Sequence, residues 1–233
     1  MSVDRDQLKR AAALRAIEEV EDGMVVGLGT GSTAAYVVEG LAARVAGGLR
    51  VVGIPTSERT ATQARRLGIP IATFAEHQRL DLTIDGADEV QLGTLDLIKG
   101  LGGALLREKI VAAASDRLVI VVDQEKLVEQ LGEHTPVPVE VTQFGWQTTA
   151  VALAKLGCVP ERRYTAKEQP YVTDGGNFIV DCRFGTLADP GTTEKQLAMT
   201  VGAVESGLFV GRTSVLVVAS RTGVEVLVPL ARE

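Results

Sequence analysis

Four short segments of this chain are apolar almost without a break: MVVGLG at 24–29, RVVGIP at 50–55, LDLTID at 80–85 and RLVIVVD at 117–123. A strand with one wet face alternates apolar and polar residues, whereas a continuous apolar run needs cover on both faces. Helical spacing fills the intervals, over 32–46, 57–68 and 104–114, and also precedes the first run over 4–20. Gly23, Gly47-Gly48 and Gly68 supply the stops. This β-α-β-α order predicts a parallel sheet covered by helices on both sides. SVLVVAS (214–220) and GVEVLVPL (223–230) carry a terminal hairpin signal around Arg221-Thr222-Gly223, and their apolar content returns them to the same sheet.

From Gly132 the rhythm changes. VPVEV (137–141), CVPERRY (158–164), GNFIVDCRF (176–184) and AVESGLFV (203–210) read as extended, with helices over 145–156 and 192–200. A β-α-β-β-α-β sequence of this kind suits a small ferredoxin-like unit. The expected fold class is therefore α/β: a Rossmann-like, mostly parallel sheet domain over 1–131 and 208–233, and a smaller ferredoxin-like α+β domain over 132–207. The smaller domain is the expected site of oligomerisation.

Composition narrows the functional classes. With 45% hydrophobic and 23% charged residues, the 233-residue chain has the make-up of an ordinary folded protein. No apolar run approaches the roughly 20 residues that span a bilayer, and MSVDRDQLKR at the start lacks the apolar stretch of a secretory signal. A cytoplasmic protein that does not use a membrane is expected. A net charge of −6 argues against nucleic acid as a partner. Cys158 and Cys182 form no CxxC pair and fit a reducing compartment. His77 and His134 have no further His or Cys at zinc-ligand spacing, so no metal is expected. An anionic substrate would have to be met by locally gathered cations and amides.

Four polar clusters sit where apolar runs of the first domain end, the place where open α/β sheets bind ligands. Gly29-Thr30-Gly31-Ser32-Thr33 leads from a strand into a helix. Bare amides, two hydroxyls and a helix dipole there can cradle phosphate; Ser32 as a plain N-cap is compatible with that. No GK[ST] follows, and Ser32 occupies the third glycine position of a GxGxxG fingerprint. Pro55-Thr56-Ser57 reads on its own as a turn and a cap. Asp85-Gly86-Ala87-Asp88-Glu89 crowds three carboxylates into five residues, which is costly unless they are used. Two fixed carboxylates can bind sugar hydroxyls, or one can carry a proton; a magnesium site is the alternative. Lys99-Gly100-Leu101-Gly102-Gly103 brings a cation into a flexible loop, followed by a helix with Arg107, Glu108 and Lys109. Glu108 is a candidate base, although a lone helical Glu is usually a solvated surface group.

These motifs, in this order, resemble ribose-5-phosphate isomerase, type A. The resemblance rests on GLGTGSTA (27–34), GIPTS (53–57), DGADEV (85–90), LIKG (97–100), ALLREKI (104–110), PVPVEV (136–141), VTDGGN (172–177) and Asp189-Pro190, and spans nearly the whole chain. Leu101, Gly175 and Gln124-Glu125 depart from the usual pattern. The resemblance implies interconversion of ribose 5-phosphate and ribulose 5-phosphate, in the non-oxidative pentose phosphate pathway, without a cofactor. It implies Glu108 as general base, with Lys99, Asp85 and Asp88 polarising sugar oxygens and opening the ring. Thr30, Gly31, Ser32, Thr33, Gly100, Gly102 and Gly103 would hold substrate, with Lys9 and Lys126 near its anionic end. A homodimer or homotetramer is implied, with a small-molecule sugar phosphate as the partner. Two other classes compete. A sugar-phosphate sensor would need the phosphate loop but not Lys99, Asp85, Asp88 and Glu108 together. A nicotinamide-dependent oxidoreductase would want an acidic residue closing the second strand, where Ile54-Pro55-Thr56 stands.

Overall fold

The computed structural model describes residues 5–230; Asp4, where the sequence places the start of the first helix, lies outside them. The chain forms two compact units. The first takes the residues up to Ala87, Arg107–Leu127, and those from Arg212 on; the second takes Asp88–Leu106 and Val128–Gly211.

The chain opens with α1 (Arg5–Ala16) and then alternates β1 (Val25–Leu28), α2 (Ser32–Ala46), β2 (Val52–Pro55), α3 (Glu58–Arg66) and β3 (Leu82–Asp85). Two short strands follow, β4 (Glu89–Gln91) and β5 (Leu97–Ile98), then α4 (Leu105–Ala113), β6 (Leu118–Asp123) and β7 (Leu127–Val128). Next come β8 (Val137–Val141), α5 (Trp146–Ala154), β9 (Val159–Arg162), β10 (Phe178–Arg183), α6 (Pro190–Ala198), β11 (Ala203–Ser206) and β12 (Leu208–Phe209). The hairpin β13 (Val215–Ser220) and β14 (Gly223–Leu227) closes the chain.

The first unit is built on a six-stranded sheet in the order β14-β13-β6-β3-β1-β2. Every neighbouring pair is parallel except β13 with β14. All six residues of β6 and all four of β3 are buried, as continuous apolar strands require. Leu28, Leu82, Ile84, Val119 and Val217 form the core with Ala12 and Ala16 of α1 and Val37 and Leu41 of α2. The small alanines of α1 let it lie close to the sheet. The hairpin turns where the two apolar runs meet, with Ser220 paired to Gly223 and only Arg221-Thr222 between them.

In the second unit, β8 to β11 make an antiparallel sheet in the order β11-β8-β10-β9. Counted along the β-α-β-β-α-β run this is fourth-first-third-second, the ferredoxin-like order. Val137, Val139, Val141, Leu153, Val180 and Leu197 fill its core together with Cys158 and Cys182. These two cysteines are free thiols; Cys158 Sγ donates to the Leu153 carbonyl at 3.3 Å and Cys182 Sγ to the Val180 carbonyl at 3.9 Å. The neighbouring Cys158 and burial push the Cys182 thiol up, so it stays protonated. A second small sheet, β12-β5-β4 extended by Val128 of β7, has β4 and β5 where the sequence reading has only a loop, while β12 falls in the stretch read as extended over 203–210. Segments of two or three residues are too short to show a period. Helix α6 starts two residues ahead of its periodic pattern. Asp189 caps it by accepting from the Thr192 amide at 3.0 Å, and Pro190 fills the first turn.

Candidate active site

In the first unit, the turn after β1 is shaped by two glycines. A Cβ on Gly29 would come within 2.6 Å of the Asp85 Cα and into its carboxylate, so only glycine lets β1 and β3 approach there. Gly31 has φ +133° and forms the N-cap of α2 without a side-chain cap. The expectation of Ser32 as the cap is thus corrected: Ser32 is the first helical residue and exposed, with Thr33 half-buried after it. Bare amides at a helix N-terminus, flanked by hydroxyls, favour an anion.

Thr30 points the other way in function. Its hydroxyl is buried in a cluster with Thr56 Oγ1 at 2.7 Å, Ser57 Oγ at 2.7 Å and Thr60 Oγ1 at 3.0 Å. Thr56 and Thr60 in turn donate to the Leu28 and Gly29 carbonyls. The Pro55-Thr56-Ser57 turn therefore does two jobs: Ser57 caps α3 by accepting from Thr60 N, and the hydroxyls lock the turn after β1. Asp85, only 1% exposed, accepts from the Thr30 amide at 3.0 Å and the Gly86 amide at 2.8 Å through Oδ1. Glu108 lies in the first turns of α4 and is 4% exposed, which overturns the solvated-surface alternative. Its neighbour Lys109 is also buried, while Arg107 pairs with Glu58 at 2.8 Å. Lys9 is on α1 with Asp6 at 3.7 Å. Lys126, half-buried, ends the single turn after β6 that Asp123 caps.

In the second unit, Asp88 Oδ2 accepts from the Leu101 amide at 2.9 Å. Glu89 is buried and accepts from the amides of Gly132, His134 and Thr135 at 2.6–2.7 Å. The crowding of carboxylates thus has a local solution: each has its own backbone donors, which offset the cost of burial. Lys99 is 3% exposed and stands over the Phe209 ring at 5.5 Å, with its amide on the Gly207 carbonyl at 2.8 Å. Gly100 and Gly103 have φ of +103° and +83°; a Cβ on Gly103 would strike the Tyr171 ring. Gly102 is exposed between them. Leu101 keeps a negative φ and is 41% exposed, so the loop carries it without backbone strain.

Sequence reasoning missed Thr60, Gly207, Arg163, Asp181 and Tyr171, all of which support these loops. None sits in a motif; Arg163 lies in the stretch read only as extended over 158–164. Among the described residues, no three His, Cys, Asp or Glu side chains group as a metal site, and no helix is long and apolar enough to cross a membrane.

Fold and site residues together define a class: an α/β enzyme of Rossmann-like build that carries a ferredoxin-like unit. The comparisons with known proteins narrow it. The family described as ribose 5-phosphate isomerase A (phosphoriboisomerase A) matches residues 52–223. Ribose-5-phosphate isomerase A of Gloeobacter violaceus is 63% identical over 229 residues, covering 98% of this chain and 99% of that one. The structure of ribose 5-phosphate isomerase A from Methanocaldococcus jannaschii superposes with a TM-score of 0.93 at 39% identity, covering 97% of this chain and all of the other. A D-ribose-5-phosphate isomerase solved in complex with phospho-erythronic acid gives 0.94 at 37% identity, with the same coverage. This chain belongs to the ribose 5-phosphate isomerase A family.

Proposed function

We propose that the chain interconverts ribose 5-phosphate and ribulose 5-phosphate, an aldose–ketose isomerisation of the pentose phosphate pathway, with Glu108 as the base. The observation that carries the assignment of roles is the burial of Glu108 in the same unit as the glycine turn at 29–33. A carboxylate shielded from water and a phosphate cradle are what a base-catalysed reaction of a sugar phosphate needs. Glu108 takes the proton from C2 of the open aldose and returns it to C1. Between these steps the oxygen on C1 carries negative charge as an enediolate, and Lys99 stabilises it. Net, the hydrogen moves from C2 to C1 and the O2 proton moves to O1. A positioned base contributes about 10²–10⁴ in rate, and a preorganised donor about 3–4 kcal/mol. Asp85 and Asp88, each fixed by amides, open the cyclic sugar.

Gly31, Ser32 and Thr33 hold the phosphate, and Thr30 sets the turn beneath them. Gly100, Gly102 and Gly103 let backbone approach the sugar, while Lys9 and Lys126 add positive charge. Phosphate binding fixes the C1–C2 end for reaction. The neighbour bound to phospho-erythronic acid supports this: that compound joins a phosphate to a carboxylate, a planar anion like the enediolate.

The assay is turnover of ribose 5-phosphate in EDTA, beside Glu108→Gln. Turnover that survives EDTA and falls by roughly 10² or more in the variant supports the reading. Loss on EDTA treatment would turn the aspartates into metal ligands. Binding without turnover would favour a sensor.

The same reading gives a cytoplasmic homodimer. Two buried free thiols suit a reducing compartment. Phe144, Met199 and Val201 of the second unit are 96%, 84% and 92% exposed, on turns tied by the Thr142 amide to the Gly202 carbonyl. Large apolar groups laid open on adjacent turns suit contact with a second copy. Light scattering should give twice the chain mass, falling to one in Phe144→Glu/Val201→Glu; an unchanged dimer would move the contact elsewhere.

A further inference from the structure

Arg163 follows β9 in the second unit, with a side chain only 12% exposed and an ion-pair partner, Asp181 of β10, at 18%. Its Nε donates to Asp181 Oδ2 at 2.9 Å and its Nη2 to Asp181 Oδ1, a two-pronged pair. The remaining nitrogen reaches the Lys99–Gly103 loop. Nη1 donates to the Gly100 carbonyl at 2.8 Å and the Leu101 carbonyl at 3.1 Å. The guanidinium also lies 5.9 Å from the Tyr171 ring, whose hydroxyl is 3.5 Å from the Gly102 carbonyl. Three successive carbonyls of a glycine-rich loop are thus held from one side, while the Leu101 amide between them donates to Asp88.

A loop with this much glycine has many conformations open to it, and the functional one must be imposed from outside. A buried ion pair is a poor source of net stability, because desolvation offsets the attraction. Its use here is geometric. A guanidinium presents donors along two edges in a fixed plane, so one edge can be anchored on a carboxylate while the other fixes a backbone. A lysine ammonium has no such fork.

We propose that Arg163, oriented by Asp181, is a positioning residue for the isomerisation. It sets the path of residues 99–103 and through it the placement of Lys99 and Asp88. The proposal rests on the reading above, in which Lys99 and Asp88 act on the sugar. Arg163 touches no reacting atom. Its loss misplaces groups that act on the transition state, so turnover falls while substrate binding through the phosphate persists.

The test compares Arg163→Lys, Arg163→Ala, Asp181→Asn and Lys99→Met, with folding checked by thermal melting. Arg163→Lys is expected to lose about 10-fold or more in kcat with KM within about threefold of wild type. Asp181→Asn should show the same split in milder form. Millimolar guanidinium or methylguanidinium, far below denaturing levels, should restore part of kcat to Arg163→Ala and none to Lys99→Met. Should Arg163→Ala not fold, the kcat and KM of Arg163→Lys decide the matter alone. Wild-type kcat in Arg163→Lys, or a loss confined to KM, overturns the proposal. Wild-type turnover in Lys99→Met instead overturns the reading on which it rests, so the two failures are distinguishable.

Discussion

A few residues in this chain are chosen by what lies opposite them rather than by their own chemistry. Gly29 is the plainest case. Its missing Cβ makes room for the Asp85 backbone and carboxylate, and Asp85 in turn accepts from the Thr30 amide. Gly29→Ala is expected to push β3 away and cost about 1–3 kcal/mol of stability. It should also lower turnover more than Gly48→Ala, where a φ of +104° strains the backbone but a Cβ meets nothing within 4 Å. Urea denaturation of Gly29→Ala and a steady-state assay on both variants check this, and similar turnover for the two would show that the close approach is unimportant to the site. At this scale the sequence shows where residue types crowd together. Three carboxylates crowd into DGADE, and the structure gives each its own backbone donors. The amides that pin Glu89 come from Gly132, His134 and Thr135, more than 40 positions along the chain. The spacing of a single segment contains no trace of such partners.

Strands and helices were legible where their length exceeds one period of their pattern. The buried runs that became β1, β3 and β6 are apolar because both faces are covered, and no neighbouring segment can imitate that. The short strands β4 and β5 owe their form to pairing with each other and with β12, which no local pattern records. Junctions between elements obey tertiary partners in the same way. Glu19 ends the turn after α1, where Arg15 lies at 3.1 Å and Arg117, just before β6, at 2.9 Å. The Arg117 and Arg15 guanidiniums hold its carboxyl below the usual range, against the opposing pull of burial. A carboxyl with a depressed folded-state pKa adds stability above its unfolded value of about 4.3. That contribution is lost as pH falls through the folded value. Glu19→Gln should therefore cost up to about 1 kcal/mol near neutrality, given its partly exposed partners. Wild type and variant should converge once the pH falls below the folded-state value and the carboxyl is protonated in both states. Denaturation curves at the two pH values check this; a gap that persists in acid would show that shape, not charge, is lost.

For the whole molecule, the chain order of the segments matters more than any one of them. The first unit is assembled from three stretches of chain and the second from two. Sequence alone placed the second domain at 132–207, because its rhythm begins there; residues 88–106 cluster with that unit through contacts of β4 and β5 that periodicity could not display. The far end of the chain supplies a strand inside the first sheet. β13 lies between β14 and β6, pairing in parallel with β6 from Val215 opposite Val119 to Ala219 opposite Asp123. Loop closure of this range is slow to form, and the pairing must survive it for the sheet to be complete. Without β13, the six buried residues of β6 would become an apolar edge with unpaired backbone groups. A chain ending at Gly211 should therefore lack a cooperative unfolding transition and partition into the insoluble fraction. Restoring residues 212–233 as a separate peptide should recover soluble, cooperatively melting protein, because the missing strand supplies pairing that no local segment replaces. Circular dichroism melts of the truncated chain with and without the peptide measure both. A truncated chain that melts sharply on its own would show that the four strands left without β13 and β14 are sufficient, and that β6 finds some other partner.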